Sequence, residues 1–131
     1  MKKLLLLISL FTIISCKDKE TLIGIWDDNI KLSQKEVEFD ANENSVILTT
    51  EGEWWWIDSI KFDEEYLNLE GLDTSSDDFI IEAPEFTVER KNTTEIYISM
   101  SENPGDNPRV LRIGLEAGDY FDHIRVKQLA K

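Results

Sequence analysis

The stretch Arg109-Val-Leu-Arg-Ile-Gly-Leu-Glu-Ala-Gly-Asp-Tyr-Phe-Asp-His-Ile-Arg-Val-Lys-Gln128 carries the clearest fold signal in this 131-residue chain. Leu111, Ile113 and Leu115 recur at every second position, the period of a strand with one buried face. Ala117-Gly118-Asp119 is a tight turn, and Tyr120, Ile124 and Val126 resume on its far side. The reading is an antiparallel pair, 109–116 and 120–128, with these apolar residues turned to a core. His123 falls on the other face with Arg125 and Lys127, where a solvated surface histidine is expected.

Working outward, Asn103-Pro-Gly-Asp-Asn-Pro108 is the strongest turn signal, since proline fixes φ while glycine and asparagine accept positive φ. Further strands are predicted near 30–33, 35–40, 45–50, 54–60, 85–91 and 95–101. Val37 and Phe39 alternate with Glu36, Glu38 and Asp40, and Ile96, Ile98 and Met100 alternate with Glu95, Tyr97 and Ser99. No segment holds a helical period over ten residues. Many short strands in a chain of this size indicate one all-β domain, an immunoglobulin-like β-sandwich or a barrel.

The chain opens Met-Lys-Lys-Leu-Leu-Leu-Leu-Ile-Ser-Leu-Phe-Thr-Ile-Ile-Ser-Cys16. A basic start and an apolar run too short to span a bilayer have the form of a signal peptide over residues 1–15. Ile13-Ile14-Ser15-Cys16 resembles the bacterial lipobox, which implies cleavage before Cys16 and lipidation of that cysteine. Cys16 is the single cysteine, so no disulfide forms within one chain. Two or three acyl chains give lasting membrane residence, at about 0.8 kcal/mol per buried methylene. Residues 16–21 then form the lipidated cysteine and a polar tether, and 22–131 the folded domain. The charged Lys17-Asp-Lys-Glu20 resembles a surface-export signal of Bacteroidetes lipoproteins, so an outer-membrane lipoprotein facing the cell surface is expected.

Formal net charge is −13, and losing Lys2 and Lys3 with the signal peptide leaves 12 basic against 27 acidic residues, or −15. That balance excludes nucleic acid and an electrostatic hold on anionic lipid. The acids concentrate between Glu51 and Glu89, where thirteen face the single base Lys61.

Gly52-Glu-Trp-Trp-Trp-Ile-Asp58 poses a separate question. Neighbouring side chains of a strand point to opposite faces, so three adjacent indoles cannot share one core. The segment Ser45-Val-Ile-Leu-Thr-Thr-Glu-Gly-Glu-Trp-Trp-Trp-Ile57 resembles the threonine-rich strand and Trp-x-[Val/Ile] step of BACON (Bacteroidetes-associated carbohydrate-binding often N-terminal) domains. Glu102-Asn103, Arg109–Ile113 and Ile124–Gln128 resemble that family's closing pattern of Asn turn, Arg, strand and final Gln. The resemblance covers roughly residues 30–128 and implies an immunoglobulin-like β-sandwich. It departs at 58–84, which is longer and more acidic than the family step between the matched parts. Leu22-Ile-Gly-Ile-Trp26 fits the Gly-x-Trp opening of lipocalins, whose eight-stranded barrel is the alternative fold. In the sandwich, Trp26 is expected to pack beside the entry strand.

Matched to the family step, Trp55 and Ile57 face inward. Trp54, Trp56 and Asp58 then share the outer face, with the two indoles spaced about 7 Å apart for stacking on a sugar chain. Either residues 58–84 cover this pair or it is open, and if open it is the ligand-binding candidate. Asp73, Asp77 and Asp78 are weighed as a Ca²⁺ loop and read as solvated acids, with no EF-hand spacing. Asp58-Ser59-Ile60 resembles a short O-glycosylation pattern. One histidine, a lipidated cysteine and the lack of nucleophile, phosphate-loop or metal-ligand motifs indicate no enzyme and no cofactor.

The expected function is a membrane-anchored module binding a neutral glycan, or a protein partner with a basic face. The alternatives are an accessory subunit of an outer-membrane complex without its own ligand, and a lipocalin-like binder of a small apolar ligand. With no further domain read after Lys131, weight moves from a spacer toward partner or ligand binding.

Overall fold

The computed structural model describes residues 26–131. The signal peptide, Cys16, the tether and the start of the Gly-x-Trp match lie outside the described residues. The strands are β1 (Glu36–Phe39), β2 (Asn44–Thr49), β3 (Trp56–Phe62), β4 (Glu65–Tyr66), β5 (Phe79–Glu82), β6 (Phe86–Lys91), β7 (Glu95–Met100), β8 (Arg109–Ala117) and β9 (Tyr120–Gln128).

They form two sheets, β1-β9-β8-β3-β4 and β2-β7-β6-β5. Every pairing is antiparallel except β1 with β9, which run parallel. Neither sheet closes on the other, so the barrel alternative fails and the fold is an immunoglobulin-like β-sandwich. Alternation sets the inner faces. Ile96, Ile98 and Met100 of β7 and Leu111, Ile113 and Leu115 of β8 are wholly buried, as are Ile124 and Val126 of β9. Each such side chain contributes about 1.5–3 kcal/mol over leaving it in water. His123 is exposed on the outer face, where the alternation put it.

Three expectations are corrected. The predicted strand at 30–33 reduces to one bridge, Leu32 with Thr50, because the segment only grazes the end of β2. The acidic 58–84 segment contains two strands that alternation did not reveal. β4 spans two residues, too few to display a period, and β5 is a four-residue Phe-Ile-Ile-Glu run at a sheet edge. Trp26 is 58% exposed and does not pack beside the entry strand.

The ends of the long β8–β9 pair define the two poles of the sandwich. Arg109 pairs with Gln128 at one end and Ala117 with Tyr120 at the other, eight rungs and about 26 Å away. The first pole is a polar network. Gln128, fully buried, accepts from Arg109 Nε at 2.8 Å and donates Nε2–H to Asn42 O and Ser101 O. Asn103 donates Nδ2–H to Asn107 O and Leu129 O, and its Oδ1 accepts from the Gly105 N–H. The second pole carries the tryptophans.

Candidate functional site

The approach to β3 begins at Gly52, whose N–H donates to Ile30 O at 3.1 Å. A Cβ on Gly52 would stand 2.0 Å from Asn29 O, so only glycine lets the two segments meet this closely. From there the three indoles diverge. Trp55 is 2% exposed and belongs to the core, as does Ile57. Its Nε1–H is shared between Thr50 Oγ1 at 3.0 Å and Gly52 O at 3.1 Å, so the buried indole leaves no donor unpaired. Trp54 is 91% exposed, and Trp56 is half-buried at the first position of β3. The strand thus starts two residues later than the predicted 54–60, and Trp54 stands on the loop before it. Residues 58–84 do not cover Trp54.

Beneath the strand, Arg90 is 1% exposed and its guanidinium carbon lies 3.8 Å from the Trp55 ring centroid. Among the described residues no carboxylate forms a salt bridge with it. Its Nη2 donates to Glu53 O at 2.7 Å, Nη1 to Trp55 O at 2.8 Å, and Nε to Thr93 O at 2.8 Å. Nη1 also reaches Ser75 O and Ser76 O at 3.3 and 3.2 Å. Burial pulls its pKa down, while the charges of Asp77 and Asp78 push it back up. An arginine stays protonated throughout the accessible pH range, so the cation persists.

The acidic loop reaches the site through several ties. Thr74 Oγ1–H donates to Ile57 O at 2.8 Å, and the Thr93 N–H donates to Asp77 O at 3.1 Å. Thr93 itself has φ +68, in the left-handed region that a β-branched residue seldom occupies. Asp73 accepts from the Ser75 hydroxyl and N–H, which hold its carboxyl below the usual range. Asp78 Oδ1 accepts from the Asn92 N–H. Asp73 and Asp78 therefore serve as turn acceptors through their carboxylates and Asp77 through its main-chain carbonyl, and among the described residues no three His, Cys, Asp or Glu side chains converge on one point.

These segments enclose an open cleft of about 780 Å³. Its lining includes Trp54, Trp56, Asp77, Thr93, Glu53 and Gly118. Among the described residues, the lining includes two acidic residues, Glu53 and Asp77, and no basic one. The sequence placed the tryptophans here but passed over Arg90. The signal was present: Arg90 follows Phe86 and Val88 at every second position, a charged residue on the buried phase of its strand.

No family model matches the chain, and no curated protein does. Three solved chains match it in structure. One of them is the NMR structure of a protein from Bacteroides thetaiotaomicron, which aligns with a TM-score of 0.63 at 21% identity, over 80% of this chain and 90% of that one. Likeness at that identity shows the fold, the same β-sandwich, and nothing about ligands.

Proposed function

We propose that this protein is a lipid-anchored module of the bacterial outer membrane, facing the cell surface, that binds a neutral glycan in the cleft beside Trp54 and Trp56. One observation carries the reading: the Trp54 indole is 91% exposed on the rim of a 780 Å³ concavity, with a second indole next to it. An aromatic face in a concave, otherwise polar site suits the C–H face of a sugar ring, while carboxylate and carbonyl oxygens accept from its hydroxyls. Two rim carboxylates and a mature charge of −15 disfavour acidic polysaccharides. The resemblance to BACON domains supports the same ligand class. Binding is the whole activity, with no catalytic step.

Affinity is expected to be modest, with Kd between about 10 μM and 1 mM. The full chain, solubilised in detergent, should bind neutral oligosaccharides on a glycan array, and Trp54→Ala should weaken each hit about five- to tenfold, the loss of one stacking ring. An array without hits, or hits indifferent to Trp54, overturns the glycan reading. The anchor is tested separately. A palmitate analogue should label wild type and not Cys16→Ser, and equal labelling of both removes the lipid.

A further inference from the structure

Three of the segments that line the cleft are irregular. Glu53–Trp55 precedes β3, Ser75–Ser76 lies in the crossing from β4 to β5, and Thr93 sits in the β6–β7 turn. No ladder ties them together. Thr74 joins the acidic loop to β3, and the Thr93–Asp77 and Asn92–Asp78 bonds join it to the turn, so each of these ties two segments. Arg90 alone, among these residues, bonds all three.

We propose that Arg90 is the positioning residue of the cleft: its one guanidinium sets the spacing of the three rims, and the cleft depends on it while the sandwich does not. The chemistry of the group fits the task. A guanidinium is a flat, rigid fork with five N–H donors diverging in one plane, so carbonyls bound to it are fixed relative to one another. Its central carbon lies over the Trp55 ring, 3.8 Å from the centroid, a contact that restrains the group further. Trp55 is in turn held through Nε1 by Thr50 and Gly52. The chain of restraint therefore runs from the core through an indole to a cation and out to the rims. It also holds the Thr93 carbonyl, whose residue stands at positive φ, a conformation that persists only where its surroundings impose it. An ammonium in place of the fork offers three donors around a point and no plane to stack, so Arg90→Lys keeps the charge and loses the geometry.

The ligand consequence rests on the binding role proposed above, but the positioning itself does not. In wild-type protein the Arg90 Nη protons should give separate, exchange-protected NMR signals, reporting hindered rotation about Cζ–Nη. Signals averaged as in free arginine overturn the proposal, and so does an Arg90→Lys chain that fails to fold, since the sandwich would then depend on this residue. In Arg90→Lys, amide exchange should rise at least tenfold over residues 53–56, 73–78 and 92–94 and stay unchanged over 101–103 and 126–129. A uniform rise, or none, overturns it. For the ligand arm, cellohexaose, laminarihexaose and mannohexaose are titrated against tryptophan fluorescence. Where wild type binds one, Arg90→Lys should weaken it at least tenfold while Gln128→Ala, at the far pole, should not. Equal binding by Arg90→Lys overturns positioning. If wild type binds none, the glycan reading loses support, while the Nη signals and rim exchange still decide the role of Arg90.

Discussion

Arg109 and Gln128 are locked together at 2.8 Å, at the pole of the sandwich farthest from Trp54. These two residues and Asn103 are spent on backbone and side-chain hydrogen bonds that close the fold. The cleft lies at the other pole, and none of its lining residues belongs to this network.

Gln128→Leu should therefore be a stability mutation only. It strips the carbonyls of Asn42 and Ser101 of a buried donor and leaves Arg109 Nε unpaired. A loss of roughly 1–3 kcal/mol is expected in urea denaturation. The folded protein should keep the wild-type tryptophan emission, since no indole is near the change.

The tryptophans should separate sharply by stability. Trp55→Ala opens a core cavity and uncovers the Arg90 guanidinium, at a cost of about 3–5 kcal/mol, a large share of what holds a small domain together. Trp54→Ala should stay within about 0.5 kcal/mol of wild type. Acrylamide should quench Trp54 freely and Trp55 hardly at all. Comparable melting of the two variants would contradict the assignment of faces.

Gly52→Ala tests the close approach at the base of the site. The added methyl group meets the Asn29 carbonyl oxygen at 2.0 Å, so the 28–32 segment must lift away. Overpacking of this kind costs about 1–3 kcal/mol. Faster exchange of the Gly52 amide, which bonds Ile30 O, should accompany the loss.

Alkaline pH should destabilise the protein through a cluster beside the cleft. Lys35 Nζ lies 2.8 Å from the buried Asp122 carboxylate, and that bond raises the lysine pKa. Burial, then the charges of Asp122 and Asp28, raises the pKa of Tyr120. Both groups are held protonated in the folded state. Their stabilisation is complete below the unfolded values of about 10.4 and 10, and is lost as pH rises through the higher folded ones. The urea midpoint should fall between about pH 10 and 12. Lys35→Met should start lower, having left Asp122 without its cation, and should lose less over that range. Parallel pH profiles for the two proteins would sink the assignment.

What the sequence determined by itself is the repetitive part. β1, β2, β6, β7, β8 and β9 were legible because each is at least four residues long with one buried face, and a period of two then appears in the order of residues. The inward turn of Trp55 and Ile57 was legible too, through the family step and the rule that neighbours on a strand face apart. Local order alone could not reveal β4, whose two residues show no period, or β5, which is as long as β1 but runs Phe-Ile-Ile without alternation; both form on the edges that β3 and β6 offer. Nor could it reveal Arg90 as more than a charge on the wrong phase. Its partners lie at Glu53, Trp55, Ser75, Ser76 and Thr93, up to 37 positions away, and only the tertiary fold brings those carbonyls around one cation. The sequence supplied the indoles, but the openness of Trp54 was decided by where the acidic loop came to rest. Arg90 bonds that loop at Ser75 and Ser76, on the rim of the cleft and not over the exposed ring.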